Sequence, residues 1–251
     1  MLKENLSFYV ITLLISMMIT FDSTQSLAQS GKEAVLTIIK TEDFTITGDG
    51  SANQWSNAKF IELSQVPNQE NREGLKTKVK IMYSNTGIYF FFQCDDELIS
   101  ATIDSHFQEL WREDVIEVFL WPDERETVYF EYEISPLNYE LPILVANNQG
   151  EQSHWIPFDY TYKEGRRKVQ HKTSVTGGKK ESGDAITEWR AEFFIPFELL
   201  RPLNNIFPES GTRWRANMYR IDYDKGKTNW VWQPIERNFH DFENFGTFLF
   251  E

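Results

Sequence analysis

The sequence predicts an all-β fold: a single antiparallel β-sandwich of the immunoglobulin or jelly-roll kind, with one short helical turn. Three observations lead there. Many short stretches alternate apolar and polar residues with the period of two that a strand requires. Turn signals separate them, and almost nothing repeats with the period of a helix. With 41% hydrophobic and 15% aromatic residues in 251, the chain has enough apolar surface for one sizeable core. Residues 29–251 are therefore expected to form one domain.

The elements follow in order. Phe44-Thr-Ile46 is a short strand candidate, and Gly48-Asp49-Gly50 marks a turn before Trp55 and Phe60-Ile-Glu-Leu63. Asn68 to Gly74 is polar and reads as an exposed loop. Lys78 to Tyr83 alternates, with Val79, Ile81 and Tyr83 on one face. Asn85-Thr-Gly87 is a tight hairpin signal joining it to the apolar run Ile88–Cys94. Val128, Phe130, Tyr132 and Ile134 would face the core, with Tyr129, Glu131 and Glu133 on the other side. Ser135-Pro136 ends that strand, because proline lacks a donor and holds its predecessor extended. Lys168–Val175 and Ile186–Ile195 form a further pair around a Gly/Lys/Ser loop. Pro196-Phe-Glu-Leu-Leu200 is the one helical turn, with proline at a favoured early position. Arg213 to Tyr223 sends Trp214, Ala216 and Met218 one way and Arg215, Asn217 and Tyr219 the other. Trp230-Val-Trp232 and Phe245–Phe250 supply the last strands.

The stretch Leu110–Pro122 carries the most chemistry. Ile116, Val118 and Leu120 make an aliphatic face suited to a core, while Val115, Glu117, Phe119 and Trp121 occupy the opposite face. Trp111, Asp114 and Glu117 combine an aromatic platform with hydrogen-bonding acids. Taken alone, the same stretch also reads as packing, with the acids facing water. Trp121 is assigned to packing.

Charge and cysteine usage narrow the partners. The formal net charge is −13, so no basic patch could dominate the field, which argues against nucleic acid or an anionic membrane. Neutral ligands and cations such as Ca²⁺ are compatible. Residues 1–28 read as a signal peptide: Lys3, an apolar stretch from Phe8 to Ile19, and the small residues Ser26 and Ala28 around Leu27. The apolar stretch is short for a membrane span, although Glu4 keeps an uncleaved anchor open. Its removal would leave a charge of −12. Cys94 is the only cysteine, which excludes an intramolecular disulfide. The expected location is secreted, periplasmic or at the cell surface.

Five motifs stand in order: Asp49-Gly50 with Trp55; Ile88-Tyr-Phe-Phe-Phe92; Leu110-Trp-Arg-Glu-Asp-Val-Ile-Glu-Val-Phe119; Thr187-Glu-Trp-Arg-Ala-Glu-Phe-Phe-Ile-Pro196; and Phe239-His-Asp-Phe-Glu-Asn-Phe-Gly246. Together they resemble the carbohydrate-binding module family 9 and its relatives in the DOMON-like group of β-sandwiches, over roughly residues 40–251. The resemblance implies a sugar held between two tryptophans, hydrogen-bonded by acidic, amide and arginine side chains, with Ca²⁺ supporting the loops. Trp111 matches the first tryptophan, and Asp114 and Glu117 match acids that follow it. Phe239 stands where the second tryptophan is expected, and Glu131 where an arginine is expected. Both depart from the family pattern.

The first reading is therefore an exported, non-catalytic protein that captures poly- or oligosaccharide in support of carbohydrate catabolism, working with a glycoside hydrolase or an outer-surface glycan-uptake system. Trp111, Asp114, Glu117, Glu131, Arg215, Asn217 and Phe239 are its candidate binding residues. A sugar face on one ring removes on the order of 100 Å² of apolar surface, about 2.5 kcal/mol. A millimolar complex needs about 4 kcal/mol net, so a second ring or several buried hydrogen bonds must contribute. Binding should be micromolar at best.

Two alternatives remain open. Glu117, Glu131 and Glu133 on neighbouring strands could form the carboxylate pair of a glycoside hydrolase, about 5 Å apart in a retaining enzyme. A haem-binding electron-transfer domain would need axial ligands from His106, His154, His171, His240, Met82 or Met218. For Ca²⁺ the candidates are Asp49, Asp95 and Asp96, with Asp114 and Asp222 as further oxygen donors from distant loops. His240-Asp241 reads as a structural corner rather than a zinc pair.

Overall fold

A computed structural model describes residues 34–67, 74–148, 151–155 and 167–251. The signal-peptide expectation for residues 1–28, and nearly all of the expected 68–74 loop, lie outside the described residues.

Thirteen strands make up the described chain: β1 (Val35–Lys40), β2 (Ile61–Gln65), β3 (Thr77–Tyr83), β4 (Gly87–Asp95), β5 (Val115–Trp121), β6 (Val128–Ile134), β7 (Glu140–Asn148), β8 (Glu151–Trp155), β9 (Gln170–Thr176), β10 (Glu188–Pro196), β11 (Arg213–Asp222), β12 (Thr228–Val231) and β13 (Gly246–Phe250). The front sheet runs β8-β7-β6-β5-β11, with β12 and β13 both pairing β11, and the back sheet runs β2-β3-β4-β10-β9. The two sheets join along one edge, where β12 pairs β2 and where β1 pairs both β13 and β3.

The expected antiparallel sandwich needs one amendment. β1 runs parallel to β13 and to β3, while the other pairings are antiparallel. A strand that seals the seam between two sheets must satisfy both neighbours at once, and its direction is set by the chain's entry rather than by a hairpin. β7 and β8 also escaped the sequence reading. Pro142 interrupts the apolar run of β7 although it sits inside the strand opposite Tyr132, an unusual position for a residue without an N–H. Conversely, Phe44–Ile46 forms no strand. Phe44 instead stacks on Tyr89 at 4.3 Å. Four short 3-10 turns occur among the described residues rather than one: Asn53–Asn57, Leu110–Arg112, Phe197–Leu200 and Phe242–Asn244.

The alternation of side chains explains why both faces of each sheet are filled. Ile116, Val118 and Leu120 of β5 point between the sheets, where they meet Phe90, Phe92 and Phe193 of the back sheet in the main core. The intervening Val115, Phe119 and Trp121 point outward into a second apolar cluster, beneath Leu110, Trp111, Phe239 and Phe245. On the far side, Tyr89 and Phe91 lie under Phe44, Ile46 and Trp55. Each outer face is thus roofed by a long connection. The back roof is anchored by Glu192, whose carboxylate accepts from Thr47 N and Oγ1, Gly48 N, Gly50 N and Trp55 Nε1. Gly50 has φ +73° and its missing Cβ would lie 2.2 Å from the Phe91 ring, so only glycine permits this approach. The front roof is less complete. It leaves a cavity.

Candidate functional site

The cavity of about 490 Å³ opens on the outer face of the front sheet, within the size range of small-ligand pockets. Its floor is built by register. Glu133 of β6 sits opposite Glu117 of β5, which in turn faces Tyr219 of β11, and Glu131 of β6 faces Ile143 of β7. Glu117, Glu131, Ile143 and Ile221 line it from below. Trp111, carried on the Leu110–Arg112 turn, forms one wall, with His154 of β8 edge-on to its ring at 5.9 Å. Residues 235–240 form the opposite wall. There Phe239 is stacked on Tyr219, with centroids 4.0 Å apart and planes 7° apart. Both Trp111 and Phe239 are half-buried. A neighbouring cavity of about 610 Å³ shares Trp111, Ile143 and His154 with the first, so the tryptophan stands on the ridge between two hollows.

The seven residues expected at the site divide into two groups. Trp111, Glu117, Glu131 and Phe239 line the cavity together. Asp114, Arg215 and Asn217 do not line it, and each anchors a segment that does or that adjoins it. Asp114, fully buried, accepts from Ser100 N and Tyr223 N at 2.6 and 2.8 Å, and Tyr223 Oη donates to Trp111 O. Asn217 accepts Gln233 N through Oδ1 and donates Nδ2 to Gln233 O, tying down the start of the 233–241 segment. Arg215 donates to the carbonyls of Phe245, Gly246 and Glu243 at its far end and pairs with Glu124 at 3.2 Å. Period-two reasoning put Arg215 and Asn217 on the correct face, but Asn217 one row and Arg215 two rows along it from the Glu117–Tyr219 pair.

Several lining residues went unread: His154, Lys227, Asn229, Ile143 and the aliphatic Val66 and Ile235. His154 and Ile143 lie on the strands that Pro142 hid. His240 reaches the cavity while Asp241 behaves as the expected corner, its carboxylate accepting from Glu236 N, Asn244 Nδ2 and Arg237.

The electrostatics of the floor are unusual. Glu117, Glu131 and Glu133 are 2%, 3% and 0% exposed, and no hydrogen bond of ordinary geometry reaches Oε2 of Glu131 or either carboxyl oxygen of Glu133. Burial raises all three acids: Glu131 to about 8, Glu117 and Glu133 well above the usual range, with their mutual repulsion adding to the last two. His240, whose Nδ1 lies 2.7 Å from Tyr129 Oη, is pushed down to about 4 by burial and then by His154. The imidazole is therefore neutral. Lys227 stands exposed at the rim, and its charge is felt by Glu117.

A separate oxygen cluster bears on Ca²⁺. Asp96, Asp222 and Asp224 can bring one carboxylate oxygen each to within 4.8 Å of the others. Arg220 ion-pairs with Asp96 and Asp222 at 3.0 and 2.9 Å, yet no hydrogen bond of ordinary geometry reaches Asp96 Oδ2. One guanidinium faces three carboxylates, with Asp114 also close enough to raise Asp96, whose pKa burial pushes to about 8. An all-oxygen, charge-rich set of this kind fits a hard cation such as Ca²⁺. Of the sequence candidates Asp96 and Asp222 belong to it. Asp95 Oδ2 accepts from Lys76 N. Asp49 is held down to about 2 by hydrogen bonds from Ser51 and Thr47, and both stand apart from the cluster. A second cluster, His106, Glu140 and His171, is internally matched: His171 Nε2 lies 3.2 Å from Glu140, and Asn138 Oδ1 is 3.0 Å from His171 Nδ1. Met82 and Met218, the methionine candidates for a haem, are fully buried in different apolar clusters.

A two-layered β-sheet fold with an aromatic-walled, acid-floored hollow on one outer face defines a ligand-binding β-sandwich. The family model for "Carbohydrate family 9 binding domain-like" proteins matches residues 46–250, and the chain belongs to that family. Among solved structures, a candidate carbohydrate-binding protein from Bacteroides uniformis superposes with a TM-score of 0.68 at 17% identity, covering 88% of this chain and all of that one. A family 9 module from Caldicellulosiruptor kristjanssonii, solved with cellotriose, gives 0.58 at 13% identity over 86% of this chain and 94% of its own. The same source's module with glucose gives 0.56. These likenesses show the fold. An "Extracellular protein" of Arthroderma benhamiae is 24% identical over 152 residues, 58% of this chain, and the match spans only 63% of that relative.

Proposed function

We propose that this protein is an exported, non-catalytic carbohydrate-binding protein that captures a poly- or oligosaccharide in the Trp111–Phe239 cavity. One observation carries the reading: two half-buried aromatic rings and two buried carboxyls, brought from four separate segments, line a single hollow of saccharide size. The rings supply apolar faces for sugar C–H groups. Glu117, Glu131, Asn229 and His240 supply polar groups along the floor and wall, and the second hollow beyond Trp111 extends the surface for a longer chain. The solved family 9 modules with cellotriose and glucose support the substrate class. The N-terminal signal pattern and the relative's name support export. A role in carbohydrate catabolism, beside a glycoside hydrolase or a surface uptake system, follows from that placement. A glycan array followed by titration calorimetry tests it. Micromolar or weaker oligosaccharide binding lost in Trp111→Ala is expected, whereas silence on every glycan sinks the proposal.

Ca²⁺ is proposed at Asp96, Asp222 and Asp224, where it would neutralise the carboxylate excess and fix the Asp95–Ser100 and Asp222–Asp224 turns that reach toward Trp111 through Asp114 and Tyr223. Millimolar Ca²⁺ should raise the unfolding temperature, because a ligand of the folded state stabilises it by RT ln(1 + [L]/Kd). Asp96→Asn should abolish that increment. An unchanged melting temperature in Ca²⁺ and in chelator removes the ion from the account. The three floor acids favour a second reading, glycosidic hydrolysis, for which reducing-sugar release abolished by Glu131→Gln but surviving in Trp111→Ala would be decisive.

A further inference from the structure

The three glutamates at the floor identify the ligand more narrowly than "carbohydrate". Glu117 and Glu133 face one another across β5 and β6, with Glu131 two residues along the same face. Side chains on one strand face at that spacing are neighbours. The bland explanation is a structural network, and the back sheet shows what one looks like here: Glu192 receives five hydrogen-bond donors. The floor acids receive less: Glu131 and Glu133 share a loose hydrogen bond, and the Trp111 backbone contributes one to Glu133. Glu131 lines the cavity, is 3% exposed, and its Oε2 accepts no hydrogen bond of ordinary geometry.

The surroundings hold no cation matched to them among the described residues. His240 Nδ1 lies 3.9 Å from Glu131 Oε2 but is turned to the Tyr129 hydroxyl. Arg237 lines the rim, where its guanidinium is committed to Asp241 at 2.9 Å and Glu243 at 3.4 Å. Lys227 is exposed and lies over the Tyr223 ring at 5.9 Å. Glu236 and His154 complete the titratable groups of the lining. Three buried carboxyls, offset only by the charge of exposed Lys227 felt at Glu117, either keep protons or wait for a further positive charge. An ammonium brings one positive charge and three N–H donors, which is what this floor lacks and what a neutral hydroxyl cannot supply.

We propose that the cavity selects saccharides bearing a free amine, with the ammonium of an amino sugar seated on Glu117 and Glu131, and Glu133 behind them. The inference rests on the carbohydrate reading of the same cavity. On binding, the ammonium takes the place of one proton held by the acids, which is released to solvent, so charge is conserved at the floor.

The test is calorimetry on the intact protein with three probes of equal length: a β-1,4-linked glucosamine oligosaccharide, its fully N-acetylated form, and the glucose oligosaccharide. It is run at a pH where the amine is protonated and in two buffers of different ionisation enthalpy. The expected result is at least a tenfold preference for the amine-bearing probe over both others, with proton release that the others do not show. Glu117→Gln and Glu131→Gln, which keep size and shape, should each reduce that preference to within about threefold. Trp111→Ala should weaken all three probes together. Should a variant fail to fold, proton release by the wild type still decides the question. Neutral probes binding as tightly as the amine, a preference that survives both Gln variants and so reflects the diffuse −13 charge, or neutral-sugar binding that requires Ca²⁺ and is lost in the Gln variants, would each overturn the inference. In those cases the carbohydrate reading stands. Absence of binding by all three probes, together with a silent glycan array, removes both.

Discussion

The two outer faces of this sandwich bury glutamates in opposite ways. On the back sheet a single carboxylate, Glu192, is wrapped by the Thr47–Trp55 connection, which aims five donors at it. On the front sheet three carboxyls lie side by side, with no hydrogen bond of ordinary geometry at Oε2 of Glu131 or at either oxygen of Glu133, and only looser contacts to one another and to the Trp111 backbone. Both arrangements remove the acids from water, which is costly for a charged group. Only the first repays the cost within the chain. A satisfied buried acid is a structural rivet, whereas starved acids in a cavity are the mark of a surface completed by something else.

The comparison can be broken most forcefully at the rivet. Glu192→Ala would orphan the Trp55 indole N–H and the backbone donors of Thr47, Gly48 and Gly50. A loss on the order of 3–5 kcal/mol in denaturant unfolding is expected, with saccharide affinity in the surviving folded fraction unchanged. A small loss would mean the connection closes without it.

Trp111→Ala should do the reverse. Removing one stacking face of about 2.5 kcal/mol weakens oligosaccharide binding by roughly 70-fold, while the half-buried ring leaves the melting temperature within a few degrees of the wild type. Equal damage to stability and binding would return Trp111 to mere packing.

The third contrast is in pH. Glu131 has its folded-state pKa raised to about 8 by burial, above the ordinary value near 4.5. Its contribution to stability is complete below about pH 4.5 and is lost as pH rises through 8. Glu117 and Glu133 shift the same way. His240, lowered to about 4, works oppositely, since its contribution is present above about 6.5 and lost as the pH falls. Stability should therefore decline from mildly acidic to mildly alkaline pH. Glu131→Gln should flatten that slope, stabilising the protein by on the order of 1–3 kcal/mol at pH 8 and hardly at all at pH 5. A slope identical in the variant would show the acid to be no burden.

The smallest effect concerns the loop behind Phe239. Tyr219 Oη donates to Phe239 O at 2.7 Å while its ring supports the Phe239 ring. Tyr219→Phe keeps the stack and removes the tether, costing about 1 kcal/mol of stability and a few-fold of affinity. An unchanged affinity would show that the stack alone positions the wall.

Much of this could be read along the chain. The alternation in β3, β5, β6 and β11 showed which residues of each strand share a face, β4 was legible as an apolar run and β10 as one of a strand pair, and the order of five motifs led to the family. Trp111, Glu117, Glu131 and Phe239, which line one cavity, were legible because the family resemblance singled out their positions. Pro142 concealed β7, and with it Ile143, the neighbouring β8 and His154. β1 was missed because its partners are remote in sequence and parallel, so no hairpin signal announces them.

What the amino-acid sequence determined by itself is everything that depends on period and neighbourhood: strand faces, hairpins, the aromatic and acidic residues of the outer face, and the family. What only the tertiary structure decided is which of those outward residues are covered. Asp114, Arg215 and Asn217 are polar like Glu117 and Glu131, yet their hydrogen bonds go chiefly to backbone groups of the connections. Whether a polar side chain finds a donor or an empty hollow depends on where connections far away in sequence come to rest, and period-two patterning carries no information about that.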